Sequence, residues 1–215
     1  MTTGFASVIL DVDSTLCGIE GIDWLAERRG SAVGTQVAGL TDRAMRGEIA
    51  LDAVYGERLA LVRPSRDEIG ALAHAYASSL ALGAAQAIQR LRAAERRVVL
   101  VSGGICEAIL PVARLLGIAE HDVHAVSLRF GSDGAYGGFD TGSPLATATG
   151  KRAVAASLAL PPRVLAMGDG ATDIAMRPAV DAFAAFTGFV SRESVVVAAD
   201  YVLESFDQLV ELVLA

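Results

Sequence analysis

Five short apolar stretches, each followed by a glycine or polar turn and then by helical periodicity, constrain this chain more than any other feature. They are Ser7 to Leu10, Arg97 to Val101, Arg163 to Met167, Asp181 to Ala184 and Tyr201 to Leu203. A strand without polar alternation has to be covered on both faces, so such runs set between helices predict a parallel α/β sheet. The interval from Leu16 to Arg96 carries no comparable run, and Gly30, Gly47 and Pro64 divide it into several short helices. That is far longer than an ordinary crossover, which predicts a helical cap standing above the sheet and then returning to it. Around Ser132, Asp133 and Gly134, residues 127–139 alternate as a small β-hairpin does.

Charge and hydropathy remove several function classes. Against 25 Asp+Glu there are 18 Lys+Arg, a net charge of -7, which is the wrong sign for a surface that tracks nucleic-acid phosphates. A mean hydropathy of +0.45 raises the question of a membrane span. The longest uncharged stretch, Ile69 to Gln89, nevertheless holds His74, Ser78, Ser79, Gly83, Gln86 and Gln89, and reads as an Ala-rich soluble helix ending near a loop. The opening residues lack a basic segment and a small-residue cleavage site. Cys17 and Cys106 are too few for a disulfide framework. The expected location is the cytoplasm. Lys151 is the one lysine among the cationic residues, in a chain that otherwise uses Arg; an ammonium kept there suggests a site needing a compact cation.

The polar residues that follow the strands carry chemistry. After the first strand, DVDST brings Asp11 and Asp13 to the edge where a parallel sheet opens its ligand crevice. Spaced by two in an extended segment, they project to one side and can share a divalent metal and a phosphoryl group; helix capping would account for one of them. The second strand ends in Ser102 and Gly103, a hydroxyl and open backbone N–H groups suited to phosphate. Gly150-Lys151 opens a helix, where a cation is unfavourable unless an anion is near. GDGATD adds Asp169 and Asp173. Val180, not Glu, stands at the twelfth position from Asp169, so this is no EF-hand loop. Leu100 spoils a nucleophile elbow, the Gly pair is too compact for a dinucleotide fingerprint, and Cys17 and Cys106 have Asp23 and Val112 where a cysteine phosphatase needs Arg. His121 and His124, flanking Asp122, read as a solvated turn in a short connection.

These motifs in this order resemble the haloacid dehalogenase superfamily of aspartyl phosphotransferases. The segments EGIDWLAERRG (Glu20 to Gly30), TDRAMRGEI, ERLALVRPSR (Glu57 to Arg66), GDGATD and DAFAAFTGF narrow the resemblance to its phosphoserine phosphatases, of the eukaryotic-type branch. The resemblance implies a Rossmann-like, mostly parallel sheet with helices on both faces, a catalytic core of 1–15 and 80–215, and a specificity cap of 16–79. It implies Asp11 as nucleophile, Asp13 as general acid and then base, Lys151 neutralising phosphoryl charge, and Asp173 orienting Lys151. Mg²⁺ would be held by Asp11, the Asp13 backbone carbonyl and Asp169. Ser102, Gly103, Gly104 and Thr172 would grip phosphate. Glu20 and Arg58 would meet the ammonium and carboxylate of phosphoserine, and Met45 would exclude water. One departure is Leu51, which stands where the family usually has a Phe.

The function expected is Mg²⁺-dependent hydrolysis of phosphoserine at the end of serine synthesis, by a monomer or homodimer with no nucleic-acid or membrane partner. Two alternatives keep their place. The same chemistry could serve a phosphotransferase to homoserine or a phosphatase for another small metabolite. A receiver-like binding domain also uses an Asp, a Ser/Thr and a Lys at a sheet edge, although it needs neither Asp13 nor a lid.

Overall fold

The computed structural model describes residues 4–215; residues 1–3 of the expected core segment lie outside the described residues. Its main sheet has six parallel strands in the order β3-β2-β1-β6-β7-β8. These are β1 (Ser7–Leu10), β2 (Arg97–Ile105), β3 (Val123–Val126), β6 (Val164–Gly168), β7 (Ala182–Phe186) and β8 (Tyr201–Leu203). Every residue of β1 and of β7 is buried, as their apolar runs require. A separate antiparallel hairpin pairs β4 (Leu128–Phe130) with β5 (Tyr136–Phe139).

The chain steps outward from β1 to β2 and β3, then returns to the other side of β1 with β6. This reversal is where open α/β sheets hold their ligands. Leu10 lies level with Leu100 on one side and Met167 on the other. Asp11, the end of β2 and the residues after β6 therefore emerge at the same edge.

Between β1 and β2 come α1 (Gly21–Glu27), α2 (Ser31–Met45), α3 (Leu51–Val62), α4 (Arg66–Ser78) and α5 (Ala84–Ala93). The breaks fall where the sequence places them. Gly30 (φ 102°) precedes α2, Gly47 (φ 75°) follows it, and Pro64 separates α3 from α4. Ser65 then starts α4 with a reciprocal cap, its hydroxyl accepting from the Glu68 N–H while the Ser65 N–H donates to Glu68. The stretch from Ile69 to Gln89 is two helices, α4 and α5, and among the described residues no helix is long and apolar enough to cross a membrane. The way out of β1 and the way back are tied together. Gly18 N–H donates to Ser79 O at 2.8 Å and Ala81 N–H to Leu16 O at 2.9 Å, with Cys17 bridged to Leu80.

After β2 come α6 (Cys106–Leu115), α7 (Gly150–Ser157), α8 (Ala171–Ile174), α9 (Glu193–Ala198) and α10 (Phe206–Leu214). Two boundaries differ from the sequence expectation. β2 continues through Ser102 to Ile105, with its register to β3 shifting between Val101 and Ile105. The segment of His124, expected as a connection, is the edge strand β3. Its burial runs buried, half, half, buried, so a His can sit within it, and the apolar-run signal of an inner strand is missing.

Candidate active site

Three strand ends and the helical excursion meet over one pocket. Asp11 follows β1 directly, its N–H fixed to Met167 O at 3.0 Å, and its side chain is buried. Lys151 reaches it from the first turn of α7. Gly150 allows that approach, because a Cβ there would lie 1.7 Å from Pro144 O. The Lys151 ammonium stands 2.6 Å from Asp11 Oδ1 and 2.6 Å from Asp173 Oδ1, all three groups buried. Asp173 Oδ2 accepts the Gly170 N–H at 2.9 Å, which fixes the second carboxylate in the turn after β6. The two carboxylates hold Lys151 charged, well above its usual value, against the opposing effect of burial.

Asp169 completes an acidic group: Asp11, Asp169 and Asp173 each offer an oxygen within 4.8 Å of the others. Burial, and then the charge of Asp173, push Asp11 well above the usual carboxylate range and Asp169 up to about 7. An all-oxygen, multiply anionic set of this kind fits a hard divalent cation, which would relieve that mutual repulsion. Thr15 Oγ1 donates to Asp169 Oδ1 at 2.9 Å, and the Arg192 guanidinium pairs with Asp169 Oδ2. Asp13 lines the same pocket but is not a member of that acidic group. Asp13 Oδ1 instead accepts from Tyr76 Oη at 2.5 Å and from the Gly21 N–H at 2.9 Å. Burial first, and then the charge of Glu20, raise Asp13 to about 7. Burial and Asp13 keep the Tyr76 phenol well above its ordinary range, as a donor.

At the end of β2, Ser102 Oγ accepts the Gly104 N–H at 2.9 Å, and Gly103 and Gly104 face the pocket. Thr172, on the first turn of α8, lines it too. The roof comes from the helical excursion: Glu20, Ile22, Met45, Leu51 and Arg58. Glu20 accepts from the Ser14 hydroxyl at 2.6 Å, with Ser14 in a left-handed turn at φ 53°. Arg58 is buried, its Nη1 donating to Thr41 Oγ1 at 2.7 Å and standing 4.0 Å from Asp23 Oδ1, while its Nε has no hydrogen-bond partner among the described residues. An unmet donor on a buried guanidinium can take a further acceptor. Tyr55, on α3, donates to Gly103 O at 2.8 Å, linking roof and floor.

The pocket thus gathers ten of the twelve site residues expected from the sequence, together with Leu51, with Ser102 and Asp173 directly behind them. His121 is exposed, and His124 Nε2 is buried without a partner among the described residues; neither belongs to the acidic group. Sequence reasoning missed Tyr76, Tyr55, Thr15 and Arg192. Thr15 lies inside DVDST, where a hydroxyl beside two acids is a usable signal. The other three reach the site only through tertiary folding, and Arg192 is one of many Arg residues.

The pattern of haloacid dehalogenase-like hydrolases matches residues 8–178. The chain is 35% identical over 209 residues to "Phosphoserine phosphatase, chloroplastic" of Arabidopsis thaliana, covering 95% of this chain and 70% of that protein. To the phosphoserine phosphatase of Homo sapiens it is 37% identical over 206 residues, 94% of this chain and 91% of the other. Among solved structures, a phosphoserine phosphohydrolase-like protein from Francisella tularensis superposes with a TM-score of 0.87 at 26% identity, covering 97% of this chain and 100% of that one.

Proposed function

Because the chain belongs to the phosphoserine phosphatase family of haloacid dehalogenase-like hydrolases, and is a phosphatase, we propose that it hydrolyses phosphoserine to serine and phosphate through an aspartyl phosphate on Asp11. The observation that carries the chemistry is Lys151, buried and 2.6 Å from both Asp11 and Asp173. A carboxylate so placed can attack phosphorus in line while the ammonium meets the charge on the equatorial oxygens. Asp11 forms the new bond as the ester P–O bond breaks. Asp13, raised to about 7, protonates the departing seryl oxygen and then takes a proton from the water that opens the aspartyl phosphate. Ser102, Gly103, Gly104 and Thr172 orient the phosphoryl group.

Mg²⁺ is the proposed cofactor: Asp11, Asp169 and the Asp13 backbone carbonyl would hold it, and it would supply positive charge to the phosphoryl oxygens. Asp173 is assigned to Lys151, with which it is paired.

Residues 16–79 act in this reading as the cap that selects substrate. Phosphoserine carries an ammonium and a carboxylate, and the roof presents one anion, Glu20, and one buried cation with a spare donor, Arg58. Met45 and Leu51 close the remainder against water. Leu51 is 3% exposed, so a branched aliphatic side chain does fill the roof at this position. The reaction is consistent with a last step in serine synthesis and with a reduced compartment.

The test is phosphate release, with Mg²⁺, from a panel of phosphoamino acids and sugar phosphates. Phosphoserine is expected to lead the panel and Asp11→Asn to abolish release. Glu20→Gln is expected to weaken phosphoserine turnover by about tenfold or more, a lost charged contact to substrate, while sparing a generic phosphate ester. Equal loss on both esters, or preference for a phosphate without an amino group, overturns the assignment. Adding homoserine and analysing products separates hydrolysis from transfer.

A further inference from the structure

Tyr76 touches the reaction's acid–base group but plays no part in the chemistry assigned so far. It is fully buried on α4, with its hydroxyl oxygen 2.5 Å from Asp13 Oδ1. The contact is closely fitted: a Cβ on Gly21 would lie 2.1 Å from that hydroxyl oxygen, so only glycine leaves room for it. Gly21 also donates its N–H to the same Asp13 oxygen at 2.9 Å. A carboxyl oxygen offers two lone pairs, and both on Oδ1 are engaged. Asp13 Oδ2, by contrast, has no hydrogen-bond partner among the described residues. It faces the end of β2, where a Cβ on Gly104 would come within 2.7 Å of it.

We infer that Tyr76 is a positioning residue that assigns the transferable proton of Asp13 to Oδ2, the oxygen turned toward the phosphate cradle. A proton on Oδ1 would take one of those two lone-pair positions and forfeit a buried hydrogen bond from an incoming donor. On Oδ2 it costs no such bond. The inference rests on Asp13 being the acid and base of the proposed phosphatase reaction. As Asp11 bonds to phosphorus and the ester bond breaks, the electron pair passes to the leaving oxygen, which takes the Oδ2 proton. The negative charge left on Asp13 is met at Oδ1 by the Tyr76 hydroxyl and the Gly21 N–H. In the second half, Oδ2 takes a proton from the attacking water as the bond from Asp11 to phosphorus breaks. The Tyr76 proton never leaves its oxygen. Since Tyr76 belongs to the helical excursion and Asp13 to the sheet edge, the acid is aligned only while the two are docked.

The test is Tyr76→Phe in the full chain, which removes one oxygen and keeps the packing ring. Two substrates separate alignment of an acid from general damage: phosphoserine, whose leaving oxygen needs a proton, and p-nitrophenyl phosphate, whose leaving group does not. The kcat on phosphoserine is expected to fall about tenfold or more, within the range that general acid catalysis supplies, with KM little changed. The nitrophenolate burst rate should stay within about twofold of wild type. Gly21→Ala, which displaces the hydroxyl while keeping the tyrosine, is expected to act in the same direction. Unchanged kcat on phosphoserine, or equal losses in both assays, overturns the role of Tyr76. Wild-type enzyme that leaves phosphoserine intact overturns the substrate reading instead, and the Tyr76 comparison is then made on whichever alkyl phosphate the panel shows to be cleaved.

Discussion

Lys151 is buried between two carboxylates, and that closeness makes its chemistry specific. An ammonium is small enough to stand 2.6 Å from both Asp11 and Asp173. A guanidinium is broader and planar, and would have to push one of them aside. Lys151→Arg is therefore expected to lose about 100-fold or more in kcat, the scale of removing one preorganised electrostatic contact, measured as phosphate release. Full activity in that variant would refute the reading of the one lysine as a required compact cation. The acids at this sheet edge were legible because each lies within a few residues of the end of an apolar run. The division of labour between Asp11 and Asp13 came through the family resemblance alone, because alternation along an extended segment says nothing about Tyr76, which arrives from 63 residues away. Arg192 illustrates the same limit: its pairing with Asp169 depends on how the chain beyond β7 folds back.

Helix ends show how the excursion is held together. Arg29, just past α1, donates to Val62 O at 2.7 Å at the end of α3, and pairs with Glu68 in the first turn of α4. One side chain thus satisfies a terminal carbonyl of one helix and the N-terminal acid of another. The Arg29 guanidinium is the main reason that Glu68 is held down to about 2 from its ordinary 4.5. A depressed carboxylate stabilises the fold fully above its unfolded value, and that stabilisation is lost as pH falls through the folded one. Stability conferred by this pair should therefore decline between about pH 4.5 and pH 2. Arg29→Ala is expected to cost about 2 kcal/mol near neutrality, roughly 5 °C in Tm for a chain of this size. Thermal melts at pH 6 and pH 3 should show that penalty shrinking in acid; a constant penalty would rule the pairing out as its source. Inner strands were readable at this scale from apolar runs alone. The edge strand β3 was not, since one open side lets His124 interrupt the pattern that inner strands must keep.

Across the molecule, packing is uneven. Every residue of β1 is buried, whereas α2 buries only Gly34, Val37, Thr41 and Ala44 along one face. Amide hydrogen exchange is expected to be fastest in α2 and α3 and slowest in β1, β2 and β6, with inorganic phosphate and Mg²⁺ slowing the helices more than the sheet. Uniform protection would mean that roof and floor open as one unit. The paired crossing at Leu16–Gly18 and Ser79–Ala81 has a consequence for how such a molecule can change. Because the outgoing and returning chains are hydrogen-bonded to each other there, everything between them is covalently joined to the sheet through a single two-stranded stem. A segment of different length or shape could be grafted onto that stem without disturbing the register of β1 with β2. Such a graft keeps the strand-end acids in place, provided that whatever the stem carries still returns donors to Asp13 Oδ1, as Tyr76 and Gly21 do.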